Sequence, residues 1–235
     1  MPESRGRILT GSALILLAAG LPALALLKKD WGLLSLTLAG VALALAYWGF
    51  EKSAASSREV SLVATLGALA AAARVPFAAL PGVQPTTFIV ITAGFVFGPL
   101  AGFMVGSTAA LVSNFFLGHG PWTPWQMLAW GLAGATAGCL RIRQPGLKRA
   151  GLAAFGLAWG YLYGWLMNLW FWAAFISPPR LTTFLAACAA SFAFDTGHAL
   201  TNLGLFLLLG PRVLRTMERF RNKLRFRADF PGQAP

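Results

Sequence analysis

The chain has 235 residues, 57% of them hydrophobic and 11% charged, with a mean hydropathy of +0.66. A soluble domain carries about 25% charged residues, so this composition excludes a water-soluble globular domain and predicts an all-α polytopic membrane protein. The formal net charge is +12. The basic residues lie between or after apolar runs, where they orient a membrane chain rather than bind nucleic acid.

Arg5 and Arg7 precede an apolar run from Ile8 to Leu27, which Lys28-Lys29-Asp30 ends. The start has features of a signal peptide, with Ala23-Leu24-Ala25 at a cleavage-like position. The run is long enough to span as a helix, however, and is read as the first span. Gly32 to Phe50 is the second. Glu51 to Arg58 is a polar linker rich in Ser and Ala, and it marks the internal boundary. Residues 1–58 are therefore expected to form a two-helix membrane extension, residues 59–211 a six-helix core and residues 212–235 a basic tail.

Within the core, Glu59 to Leu80 is an Ala-rich span with Arg74 near its far end. Pro81 to Pro85 is a turn. Thr86 to Phe97 is a short apolar segment, expected to be tilted or partly irregular, and Gly98-Pro99 breaks the pattern. Leu100 to Leu117 and Pro124 to Leu140 follow, joined by the loop Gly118 to Thr123. Arg141 to Arg149 is a basic loop, Ala150 to Ile176 a span, Pro178-Pro179 a turn, and Thr182 to Gly210 the last span. The tail from Pro211 is expected to lie on the membrane surface, with Phe220, Leu224 and Phe226 against lipid headgroups. Cys139 and Cys188 fall inside spans with no partner at metal-ligand spacing, and read as small apolar residues.

Eight spans put both termini on one side. That side holds Arg5, Arg7, Lys52, Arg58, Arg141, Arg143, Lys148, Arg149 and the basic tail, against Lys28, Lys29 and Arg180 on the other. The positive-inside rule places the first side in the cytoplasm. Depths follow at 1.5 Å per residue: Arg74 lies about 9 Å and Asn168 about 12 Å from the outer face. Gln84, Asn114, His119, Trp122, Trp125 and Gln126 gather at the outer face itself, and Trp165 and Trp172 flank Asn168. Polar side chains in a bilayer are costly and face the bundle interior or a cavity. Aromatic rings and mostly neutral hydrogen-bonding groups massed at one end predict a pocket for a largely neutral, planar or amide-bearing ligand. An interfacial belt of Trp and interhelical hydrogen-bond glue are the bland readings of the same residues.

Asp195 and His198 are one turn apart on the last span and read as a structural pair or a proton relay, with Ser191 and Asn202 on the same face. No oxyanion hole accompanies that Ser/Asp/His set, so catalysis is not expected. Gly94, Gly98, Gly102 and Gly106 recur every fourth residue, a spacing that lets helices approach closely. Ala64 and Ala68 make an AxxxA pair on a face of small residues. No Walker A loop, HExxH, GxSxG or CxxC occurs, so the chain does not hydrolyse ATP through a P-loop.

From Glu59 to Gly210 the chain resembles the substrate-binding S component of energy-coupling factor (ECF) vitamin transporters. The resemblance rests on the six-helix apolar core, the Ala64/Ala68 face, the FVFGPLAGFMVG element (Phe95 to Gly106) and the GHGPWTPWQM loop. It implies a subunit without chemistry or cofactor of its own in a bacterial plasma membrane. Such a subunit binds a vitamin at its outer face, docks through its first core helix on a transmembrane coupling protein driven by two cytoplasmic ATPases, and topples to release its cargo. Carried over by position, Ala64 and Ala68 are the docking face, and Pro81 to Pro85 and Gly118 to Thr123 the lid loops. The two N-terminal helices depart from the family core. The pocket residues expected from depth and chemistry are Arg74, Gln84, Asn114, His119, Trp122, Trp125, Gln126, Trp165, Asn168 and Trp172. A corrinoid, a folate and a flavin all suit these groups, and the GPWTPWQM stretch looks most like members associated with cobalamin. The alternative is a self-sufficient proton-coupled carrier using Asp195 and His198.

Overall fold

A computed structural model describes residues 30–53 and 55–223. The first expected span, Ile8 to Leu27, lies outside the described residues, as do Lys28, Lys29, Leu224 and Phe226. The described elements are all helical: α1 (Trp31–Lys52), α2 (Ser57–Arg74), α3 (Pro85–Phe97), α4 (Pro99–Leu117), α5 (Thr123–Arg143), α6 (Arg149–Phe175), α7 (Leu181–Leu208) and α8 (Gly210–Lys223).

Local chemistry sets most of the helix ends. Asp30 caps α1, its carboxylate accepting from Leu33 N–H at 2.9 Å. Ser56 and Glu59 form a capping box at α2: Ser56 N–H donates to Glu59 Oε2 at 2.6 Å and Glu59 N–H to Ser56 Oγ at 3.3 Å. This reciprocal cap starts the helix inside the stretch expected to be linker. α2 was expected to run to Leu80. It ends at Arg74 and tightens into a 3₁₀ turn, Val75–Phe77, because Pro76 lacks an N–H and crowds the preceding turn. Gly98, at φ 102°, closes α3, and Pro99 opens α4 directly after it. Of the four repeating glycines, this one makes a turn that a residue with a β-carbon resists.

The other three bring helices together. A β-carbon on Gly94 would land on the carbonyl oxygen of Gly134, one on Gly102 would meet Gly94 Cα and Gly134 O, and one on Gly106 would strike the Trp130 carbonyl. α3, α4 and α5 therefore touch backbone to backbone. α3 has 13 residues, about 20 Å at 1.5 Å per residue, too short to cross a 30 Å hydrocarbon layer. It is buried along nearly its whole length and sits at the centre of the bundle.

Among the described residues, three helices are apolar and long enough to cross a membrane: α1, α2 with its 3₁₀ extension, and α4; α7 with α8 makes a fourth if that pair, bent by 69°, counts as one span. α5 and α6, of 21 and 27 residues, also have the length. Their Trp, Tyr, Gly, Gln and Asn lower their mean hydropathy. Leu162, Leu169, Phe171, Phe175, Leu185, Phe192 and Leu200 are exposed on α6 and α7, the surface expected of a chain solvated by lipid. The protein is a polytopic helical membrane protein.

The last span was expected to run through Gly210. α7 stops at Leu208, and α8 turns beneath the bundle with Met217 buried. Arg141 Nη2 pairs with Glu218 Oε1 at 3.2 Å, Arg221 Nη1 donates to the Val96 carbonyl at 3.4 Å, and Arg141 lies over the Phe95 ring at 4.8 Å. Met217 of α8 thus faces protein, while Phe220, expected against lipid headgroups, is exposed along with Arg212, Arg215, Arg219 and Lys223. At the other end of the chain, α1 packs on α4, α5 and α6, and Tyr47 Oη shares a 3.1 Å hydrogen bond with Ser107 Oγ of α4.

Candidate functional site

Three of the polar residues expected at the outer end converge on one buried cluster. Arg74, at the end of α2, is 8% exposed. Its Nη1 donates to Ser113 Oγ and to Asn114 Oδ1, both at 2.7 Å, and its guanidinium lies over the Trp130 ring at 4.8 Å. Asn114 is fully engaged: its amide nitrogen donates to Thr123 Oγ1 at 3.0 Å and to Gln126 Oε1 at 2.8 Å. This network joins α2, α4 and the start of α5. It fixes which end of the Asn114 amide is oxygen, since the guanidinium can only donate.

A second chain of bonds runs inward from it. Trp130 Nε1 donates to Thr87 Oγ1 at 2.8 Å, and Thr87 Oγ1 meets His198 Nε2 at 2.7 Å. The Tyr163 ring contacts both groups, tilted against Trp130 at 4.6 Å and edge-on to His198 at 5.3 Å. The chain crosses α5, α3 and α7, with α6 alongside.

His198 does not pair with Asp195. The Asp195 carboxylate instead accepts from Ser191 Oγ at 2.8 Å, and Ser191 Oγ accepts from Asn168 Nδ2, also at 2.8 Å. Spacing of one turn put Asp195 and His198 on one helix side, but α7 meets two neighbours there. His198 turns to α3, whereas Asp195 packs against Gly164 of α6. Asn168 is therefore tied to α7 in a separate cluster.

The remaining expected residues divide. Trp125 is buried with its Nε1 unpartnered among the described residues, and Gln84, at the start of α3, has a buried Oε1 in the same condition. Trp122 lies edge-on to Trp170 at 6.2 Å. His119 is exposed, edge-on to Phe115 at 4.7 Å and 3.5 Å from Thr123 Oγ1. Trp172 Nε1 donates to the Arg180 carbonyl and to Thr183 Oγ1, so it closes the α6–α7 turn. Trp165 is 49% exposed and outside the cluster. Tyr163 and Met167 set the inward side of α6, and 100° per residue carries Trp165 away from it.

The two expected lid loops differ in how they are held. Gly82, at φ 76°, presses on α7, where a β-carbon would meet the Phe194 carbonyl and Gly197. In the other loop, the Trp122 ring folds back over Gly120 and leaves no room for a side chain there. On α2, Ala64 and Ala68 are exposed, while Gly67, Ala70 and Ala71 are buried.

Residues 54–212 match the family model described as ECF-type riboflavin transporter, S component. No curated protein and no solved structure matches the chain.

Proposed function

Because the chain belongs to the S-component family of the ECF-type riboflavin transporter, we propose that it captures a vitamin at the end of the bundle where Arg74, Asn114 and Gln126 converge. Membership makes it a transport subunit rather than an enzyme, working with a membrane coupling protein and ATPases. The observation that carries the placement is the buried polar cluster itself. Charged and amide groups inside an apolar bundle are costly, and here the Arg74 guanidinium lies over the Trp130 ring while Asn114 bonds to Thr123, where the Gly118 to Thr123 loop enters α5. A flavin is the substrate class best supported. It is planar, it presents carbonyl and ring-nitrogen acceptors, and it matches the family's description. The corrinoid suggested by the GPWTPWQM loop has no second support.

The outward, exposed Ala64 and Ala68 serve as the docking face toward the coupling protein. The basic stretch from Arg141 to Arg149, which runs from the last turn of α5 to the first residue of α6, and the basic α8 lie on the cytoplasmic side by the positive-inside rule, which puts the binding end outside the cell.

Absorption and mass spectra of small molecules released from the detergent-purified protein test the substrate. A flavin spectrum is expected. Where the protein purifies empty, titration with riboflavin and with cobalamin decides: saturable quenching of flavin fluorescence supports the reading, and tight binding of cobalamin alone would sink it.

A further inference from the structure

Among the described residues, Arg74 has no counter-charge. Between Glu59 and Glu218 the only acidic residue is Asp195, and that carboxylate bonds to Ser191. The one ion pair among the described residues, Arg141 with Glu218, lies at the cytoplasmic end by the same charge rule. Both Nη1 protons of Arg74 go to neutral acceptors, and its Nε is buried without a partner among the described residues. A buried cation satisfied only by a hydroxyl, an amide and a ring face is under-compensated. A second buried donor, Trp125 Nε1, is also unpartnered, next to Gln126 in the chain. Two unpartnered donors and an unpaired positive charge, against one unpartnered acceptor at the expected pocket residues, Gln84 Oε1, are the complement of an acceptor-rich anion.

We infer that the ligand of this site carries an anionic oxygen, a carboxylate or a phosphate, that meets the Arg74 guanidinium and supplies the missing counter-charge. The inference rests on the capture-site reading above and narrows it. Among flavins, a charged derivative is the better fit than neutral riboflavin. Without ligand the site carries an uncompensated charge, much as other binding sites trade stability for function.

The test uses the full-length protein in detergent at low ionic strength. Three probes share one ring system: riboflavin, flavin mononucleotide with its phosphate, and 10-carboxymethylflavin with its carboxylate. Wild-type protein is expected to bind one or both anionic probes at least tenfold more tightly than riboflavin, and the preferred one names the anion. Arg74→Gln removes the charge yet keeps an amide donor; it is expected to erase that preference, with Arg74→Lys retaining part of it. Ligand-free Arg74→Gln is also expected to melt at or above the wild-type temperature. Tighter binding of riboflavin, with equal losses for all three probes in Arg74→Gln, would overturn the inference and leave the flavin reading intact. If no flavin binds the wild type, the flavin reading falls, and the melting comparison alone decides on Arg74. A clear drop in the ligand-free melting temperature then marks Arg74 as a structural tie between helices and rejects the inference.

Discussion

At Gly94 and Gly134 two helices meet where any side chain would be displaced by a backbone carbonyl. Overpacking usually costs about 1–3 kcal/mol, and here neither neighbour is a flexible side chain that can give way. Gly94→Ala is expected to exceed that range, and loss of a monodisperse peak in detergent size-exclusion chromatography checks it. Trp130→Phe keeps a ring under Arg74 and removes the indole N–H that Thr87 accepts. It is expected to cost about 1 kcal/mol, read as a lowered melting temperature. Arg74, Asn114 and Gln126 were legible because such groups stand out in apolar spans. Ser113, Thr123 and Thr87 were not. Hydroxyls in helices commonly bond their own preceding carbonyls, as Thr92, Thr136 and Thr196 do here, so residue type does not reveal which one reaches across. Trp130 and Trp165 likewise read alike in sequence, and only helix rotation separates a buried ring from a lipid-facing one.

On α2, Val63, Leu66, Ala70 and Arg74 are buried, while Ala64 and Ala68 are exposed. Ala64→Leu combined with Ala68→Leu is therefore expected to leave ligand affinity unchanged and to lower uptake in cells at least tenfold. Equal loss of binding and uptake would show that the exposed side is not a docking surface. α8 is held by charges as well as by Met217. Burial and the neighbouring Arg141 lower the pKa of the Arg221 guanidinium, and Glu218 works against both. Glu218→Gln leaves the two guanidiniums without that carboxylate, so faster amide hydrogen exchange along α8 is expected. Most element boundaries were legible from Pro and Gly. The α7–α8 bend was legible to within two residues, since Gly210-Pro211 ends the apolar run and the tail was expected on the membrane surface; the docking of α8 under α3 was not.

Across the whole molecule, Asp195 separates the capture reading from a proton-coupled carrier. Its carboxylate joins α6 to α7 through Ser191 and Asn168 and stands apart from His198. Asp195→Asn is expected to leave uptake dependent on ATP and largely intact, whereas a proton-coupled carrier would lose it altogether. The six-helix core and its polar end were legible from hydropathy and the placement of charge. How the extra helices attach was not, because nothing in an apolar sequence states which lipid-exposed side finds a protein neighbour. Their attachment has a mechanical consequence. The glycine contacts weld α3, α4 and α5, with α2 alongside, into one block, and α6 and α7 pair as another. α1 touches α4, α5 and α6, and α8 touches α3 and α7, so each bridges the seam between the blocks. The two blocks can part only if these bridges yield, which makes the additions to the core a brake on how far the bundle can open.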